Sequence, residues 1–262
     1  MSDGLSVRLR DILAASGRWP RRQLRRMDGD VSTTDGPESL STRVTLGRDW
    51  RQFRFRSVTV EARASLPPLI LMDKPAGVLT SRVREHGAPT VFDNLDPFLA
   101  ERVEPVGRLD RETTGLLLLT GDGRLIQRLT HPKRAVPRSY DVTVEGAPDP
   151  EVIQGLRMGT VALRDGHLPT PQALEPLEGD RWLVTLTEGK YHEVRRMFAA
   201  AGARVLELRR TSFGPFDIAD LRGQPVRRLE EGELIATCLE LGLSLPNSVL
   251  EVREVADASP EG

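Results

Sequence analysis

The spacing of apolar positions changes period several times along this chain. In "YHEVRRMFAAAGARV", Val194, Met197, Phe198 and Ala201 fall at i, i+3, i+4 and i+7, with Gly202 after them. That spacing predicts an amphipathic helix with a glycine stop. "GDGRLIQRLTH" predicts another, capped by Asp122 and ended by Pro132, and "DPEVIQGLRMG" a third, closed by Gly159. "EEGELIATCLELG" predicts the last. Period-2 alternation in "SYDVTVEG", "RWLVTLTEG" and "RVLELRRTSFG" predicts half-buried strands, whereas "LILMDKPAG" and "GLLLLT" predict strands buried on both faces. "TVFDNLDPFL" suggests a short helix. Helices and strands mix without a regular βαβ rhythm, which predicts an α+β fold.

Before the double proline in "ARASLPP" the pattern differs. "VRLRDILAASG" and "PRRQLRRMDGD" predict two short helices, and "STRVTLGRDW" and "RQFRFRSVTVEA" alternate basic with apolar residues, as half-exposed strands would. The expected organisation is a small basic unit over 1–64, a larger domain over 65–245, and a flexible tail over 246–262.

Composition narrows the function. A 39% hydrophobic content supports a sizeable core, and no apolar run reaches the ~18 residues of a membrane span. One cysteine, Cys238, rules out an internal disulfide, and the first residues lack a signal peptide's apolar core, so a cytoplasmic, membrane-free protein is expected. His86, His131, His167 and His192 are scattered, giving no ligand pair at metal spacing, and phosphate-cradling glycine motifs are missing. Neither metal nor cofactor is expected. The net charge of −1 hides a segregation. Residues 1–64 hold 13 Lys+Arg against 8 Asp+Glu, and "RLIQRLTHPKRAVPR" (124–138) has five bases and no acid. All but three of the 37 basic residues are arginine, which forks onto phosphates and stacks on bases. An anionic partner, RNA or DNA, is the implication. A monomer is expected, because no exposed apolar stripe is evident.

Three motifs could carry chemistry. In "VGRLDRETTGLLLLTGDG", Asp110 lies between Arg108 and Arg111 at the mouth of a buried strand; alone, it reads more readily as a turn residue than a catalytic one. "GKYHEVRRMF" places Arg195 and Arg196 in the first turns of a helix, where an ordinary exposed face is, alone, the slightly favoured reading. Tyr140 in "RSYDV" reads alone more readily as strand packing.

Taken together, "GRLDRETTGLLLLTGDG", "RSYDVTVEG", "EGKYHEVRRMFAAAGARVLELRRTSFGPFDI" and "LILMDKPAGVLTS" resemble, in order and spacing over about 69–239, the bacterial ribosomal RNA pseudouridine synthases. The similar group is the one named after the small-subunit enzyme, which also includes large-subunit enzymes. The resemblance implies a mixed, largely antiparallel central sheet with flanking helices and an activity that isomerises a flipped-out uridine of ribosomal RNA without a cofactor. It also implies residue roles: Asp110 as nucleophile, Tyr140 packing on the base, Arg195 pairing with the carboxylate, and Ile218 closing the pocket where the family has leucine. The apolar strand after Asp110 would exclude water from the carboxylate. Arg108 is assigned to the substrate, and Arg21, Arg22, Arg25, Arg26, Arg111, Lys133, Arg134, Arg138 and Arg196 to RNA. Glu193 departs from the family's usual glutamine. The first unit resembles the S4-type RNA-binding domain, although "STTDGPESLSTRV" stands where its usual turn would be. The competing reading is a non-catalytic RNA-binding or ribosome-assembly factor on the same scaffold.

Overall fold

A computed structural model describes residues 5–27, 29–46, 49–243 and 249–255, with the side chains of residues 21 and 250 outside the description. The chain forms two compact units. One comprises Met1–Pro67 with Pro246–Gly262, and the other Pro68–Leu245.

In the first unit the strand Leu5–Arg8 precedes the helix Leu9–Ala15, so the helix predicted from Val7 begins two residues later. Val7 instead pairs with Val44 in the antiparallel partner Arg43–Leu46. Leu9, Ile12 and Leu13 are buried on a core that includes Val31, Phe53, Phe55 and Val60. The segment that departs from the S4 pattern forms a hairpin, Asp30–Thr33 against Gly36–Ser39.

The flexible tail expected over 246–262 is corrected for Val249–Val255, which is an edge strand antiparallel to Val58–Ser65; the rest of that segment lies outside the described residues. Its charges are the reason. Glu251 lies opposite Arg63 and Arg253 opposite Glu61, with N–O distances of 2.9 Å and 2.6 Å, while Val252 enters the core. Opposite charges directly across a ladder favour one register.

The second unit is built on a nine-stranded mixed sheet. Its main path runs Ala173–Pro176, Arg181–Leu186, Arg138–Glu145, Arg204–Phe213, Thr114–Thr120, Leu69–Lys74 and Val226–Arg228. Neighbours on that path are antiparallel except Arg204–Phe213 beside Thr114–Thr120. Leu116 to Leu119 are all fully buried, each worth about 1.5–3 kcal/mol of transfer from water. The predicted helices form as Gly123–Thr130, Pro150–Arg157, Glu193–Ala200 and Glu231–Glu240, with Asp122 accepting the Arg124 N–H at 2.9 Å as the first cap. "TVFDNLDPFL" becomes two short turns, Val91–Asn94 and Pro97–Ala100, divided where Asp96 caps the second.

The parallel pair is unusually close. Gly115 has φ +95°, and a Cβ there would lie 2.2 Å from the Arg210 carbonyl oxygen. Only glycine permits this approach. Arg210 is itself buried, and its Nε donates to the Leu116 carbonyl at 2.7 Å, fastening the two strands just beyond the Asp110 turn.

Candidate active site

Asp110 sits in the turn that leads into Thr114–Thr120, and that turn is pinned from two directions. Lys74, fully buried at the end of its strand, donates through Nζ to the carbonyls of Pro75 (2.9 Å), Arg111 (2.9 Å) and Thr113 (2.8 Å). On the other side, Thr80 Oγ1 donates to the Leu109 carbonyl at 3.0 Å. The Arg111 carbonyl also accepts the Gly77 N–H, and Thr113 N–H closes the turn on the Asp110 carbonyl. Burial pushes the Lys74 ammonium down to about 8, with Glu112 and Asp110 opposing the shift. The "DKPAG" segment thus organises the Asp110 backbone, a role that sequence reading missed.

Asp110, Arg108 and Tyr140 line one cavity of about 740 Å³, whose buried apolar wall is Leu109, Leu186, Val194 and Leu208. A volume of that size suits a small-molecule-sized group. Tyr140 is buried and stands opposite Arg210 across the sheet. Desolvation pushes the Arg210 guanidinium below its ordinary range, and Tyr140 acts in the opposite direction. Leu208, also missed from sequence, lines this cavity and the adjoining one that holds Arg195, and Asp110 lines both.

Several expected contacts are corrected. Among the described residues the side chain that meets the Asp110 carboxylate is that of His192, with Nε2 3.5 Å from Oδ1, and not that of Arg195. Arg195 shares a cavity with the carboxylate, but its Nη1 donates to the Val205 carbonyl at 3.3 Å. The carboxylate is 39% exposed, and the strand leucines do not border either cavity, so they anchor the turn rather than shield the acid. Ile218 belongs elsewhere. The short pairing of Ser212 with Asp217 turns it into a separate cavity with Asp73, Thr114 and Arg209.

The expected RNA contacts also divide. Arg138 is buried, donates to the Leu129 and Thr187 carbonyls, and stacks over Phe213 at 4.6 Å, so it braces the sheet. Arg196 pairs with Asp165 at 2.5 Å. Arg111 is exposed, with Nε donating to the Gly77 carbonyl at 3.2 Å. Arg108, Lys133 and Arg134 are exposed in the second unit, as are Arg22, Arg25 and Arg26 in the first; the Arg21 side chain lies outside the described residues.

His192, which precedes the Glu193–Ala200 helix, has φ +50°, a left-handed conformation that costs a non-glycine residue about 1–3 kcal/mol. The loop is held in that shape by Glu193, whose Oε2 accepts the Lys190 N–H at 3.0 Å. Glu193 Oε1 lies 2.7 Å from His167 Nε2, and Lys190 Nζ 2.9 Å from His167 Nδ1. An ammonium can only donate, so Nδ1 accepts and Nε2–H donates to Glu193. His167, Glu188 and Glu193 bring ligand atoms within 4.8 Å, but this donor–acceptor chain accounts for His167 and Glu193 without an ion. The glutamate that departs from the usual glutamine is the centre of that chain.

No helix among the described residues is long and apolar enough to cross a membrane. Residues 68–200 match the family model described as RNA pseudouridylate synthase. The chain is 37% identical over 250 residues to ribosomal large subunit pseudouridine synthase B of Salmonella typhimurium, covering 91% of this chain and 84% of that one. It is 36% identical over 154 residues to ribosomal small subunit pseudouridine synthase A of Yersinia pestis, covering 59% and 65%. A crystal structure of a pseudouridylate synthase superimposes with a TM-score of 0.59 at 28% identity, over 87% of this chain and 98% of that one.

Proposed function

Because this chain belongs to the RNA pseudouridylate synthase family, and so is an isomerase that makes pseudouridine in RNA, we propose that Asp110 is its nucleophile and ribosomal RNA its substrate. The observation that carries the residue assignment is the shared cavity. A carboxylate on a doubly pinned turn and a buried tyrosine ring face the same space, of a size for one extruded nucleoside. The names of the relatives, both ribosomal, support the choice of RNA.

In this reading the target uridine leaves its helix and its base packs on Tyr140. The Asp110 carboxylate bonds to the ribose C1′ as the N1–C1′ bond breaks. The freed uracil turns, C5 bonds to C1′, and the carboxylate departs with its electron pair. C5 then releases a proton and N1 takes one up, so the change is an isomerisation in which nothing is oxidised or reduced. Arg195 and His192 line the cavity beside the Asp110 carboxylate, with His192 Nε2 3.5 Å from Oδ1, and hold it in place against the substrate. Leu208 presents an apolar surface beside the base. The exposed Arg22, Arg25 and Arg26 of the first unit supply phosphate contacts, in an S4-like role.

The test is Asp110→Ala on unmodified ribosomal transcripts of both subunits, with pseudouridine mapped by carbodiimide adducts and reverse-transcription stops. The expected result is loss of the modification with RNA affinity within about threefold of the parent protein, since Asp110 contributes no positive charge to phosphate binding. Pseudouridine formation at the parent rate would refute the assignment.

A further inference from the structure

An aromatic pair stands beside the Asp110 cavity, and its outer ring, Tyr191, has no part in the chemistry above. Tyr191 is 77% exposed, and its ring lies on that of His192 with centroids 3.8 Å apart and planes 18° from parallel. Among the described residues, Tyr191 has no other ring partner. One face of the tyrosine is therefore covered by imidazole, and the other is open to solvent. The chain has only two tyrosines; one is buried at the cavity, and the other is held outward at its rim.

The pair is fixed in place. The His192 backbone is left-handed between two anchors, the reciprocal Lys190–Glu193 hydrogen bonds and the Glu193–His167–Lys190 chain. The lower ring also reaches the carboxylate, with His192 Nε2 3.5 Å from Asp110 Oδ1. Arg108, Arg111 and Lys190 line the same cavity, and Lys190 is shared with Glu188 at 3.8 Å. An open aromatic face, a rigid mounting and nearby cations are the combination that single-stranded RNA uses. Rigidity matters because a preformed platform loses little freedom on binding.

We propose that the open face of Tyr191 is a stacking platform for an unpaired RNA base next to the uridine drawn into the Asp110–Tyr140 cavity. This rests on the uridine-isomerising reading of that cavity. Any of the four bases fits, because stacking uses the π-face rather than the hydrogen-bonding edge. His192 is the lower layer, tying the platform to the carboxylate and so setting the spacing between stacked base and reacting base.

Two measurements test it. On unmodified ribosomal transcripts, Tyr191→Ala should raise KM by about 5- to 150-fold, while Tyr191→Phe stays within about threefold of the parent. An unchanged KM for Tyr191→Ala, or a Phe variant as impaired as the Ala variant, overturns the proposal. The second readout does not need turnover. Tyr191→Trp adds a fluorophore at the rim, and a U-rich single-stranded 12-mer should quench its emission after subtraction of the parent's three tryptophans. An unquenched signal at saturating 12-mer overturns the platform. If the parent protein forms no pseudouridine on either transcript, the catalytic reading fails, and the quenching result alone then judges the platform.

Discussion

Replacing Lys74 with methionine isolates the electrostatic consequence of burying one cation under the Asp110 turn. The ammonium is fully buried, and its ordinary value of 10.5 is lowered to about 8. At about 1.4 kcal/mol per unit, holding it charged costs the native state on the order of 3 kcal/mol. The sign follows from proton counts. Below pH 8 both folded and unfolded chains carry the proton, so the full cost is present. Between pH 8 and 10.5 the unfolded chain binds more protons than the native one, so this group's contribution makes stability rise with pH. Above 10.5 both are neutral and the cost has gone. Urea unfolding of the parent and of Lys74→Met should therefore diverge, the parent gaining about 1 kcal/mol per pH unit relative to the variant across that window. A direct readout exists even if the variant does not fold. With three lysines, Lys74, Lys133 and Lys190, a 13C-labelled lysine spectrum has three side-chain signals, and one should titrate near pH 8. Three signals all titrating above pH 10 would refute the reasoning, as would a flat difference between the two unfolding series.

Two further outcomes follow from packing. Gly115→Ala combines a disfavoured positive φ with a 2.2 Å approach to the Arg210 carbonyl, so a loss on the order of 4 kcal/mol is expected. Calorimetry should show this as a fall in Tm on the order of 10 °C. Deleting residues from 246 onward removes the strand opposite Val58–Ser65 and uncovers Val60 and Ala62. RNA affinity in a filter-binding assay should fall at least fivefold, whereas trimming a loose tail would leave it unchanged.

Parts of the site were legible because their signal is local or carried by ordered motifs. The Glu193–Ala200 helix announced itself through Val194, Met197 and Phe198, all buried on one face. Asp110 and Tyr140 were joined by motif order, and they do line one cavity. What escaped depends on long-range backbone geometry. The bonds from Lys74 to Arg111 and Thr113 span 37 and 39 residues, and a buried lysine has no local sequence mark. The expected Arg195–Asp110 pair is replaced by a bond to a carbonyl ten residues on, in the next strand. Ile218 was misplaced because a two-residue strand before it redirects the chain. The strand Val249–Val255 was read as a tail because its charges look like a solvated run, while the partners that pair them lie about 190 residues earlier.

That last strand also orders events during synthesis. The second unit, Pro68–Leu245, is inserted between the two segments that make up the first. A ribosome making this chain synthesises all of Pro68–Leu245 before it makes the strand that completes the first unit's sheet. The N-terminal segment must wait through some 180 residues of translation with the edge of Val58–Ser65 unpaired, and at about 5–20 residues per second that lasts on the order of ten seconds or more.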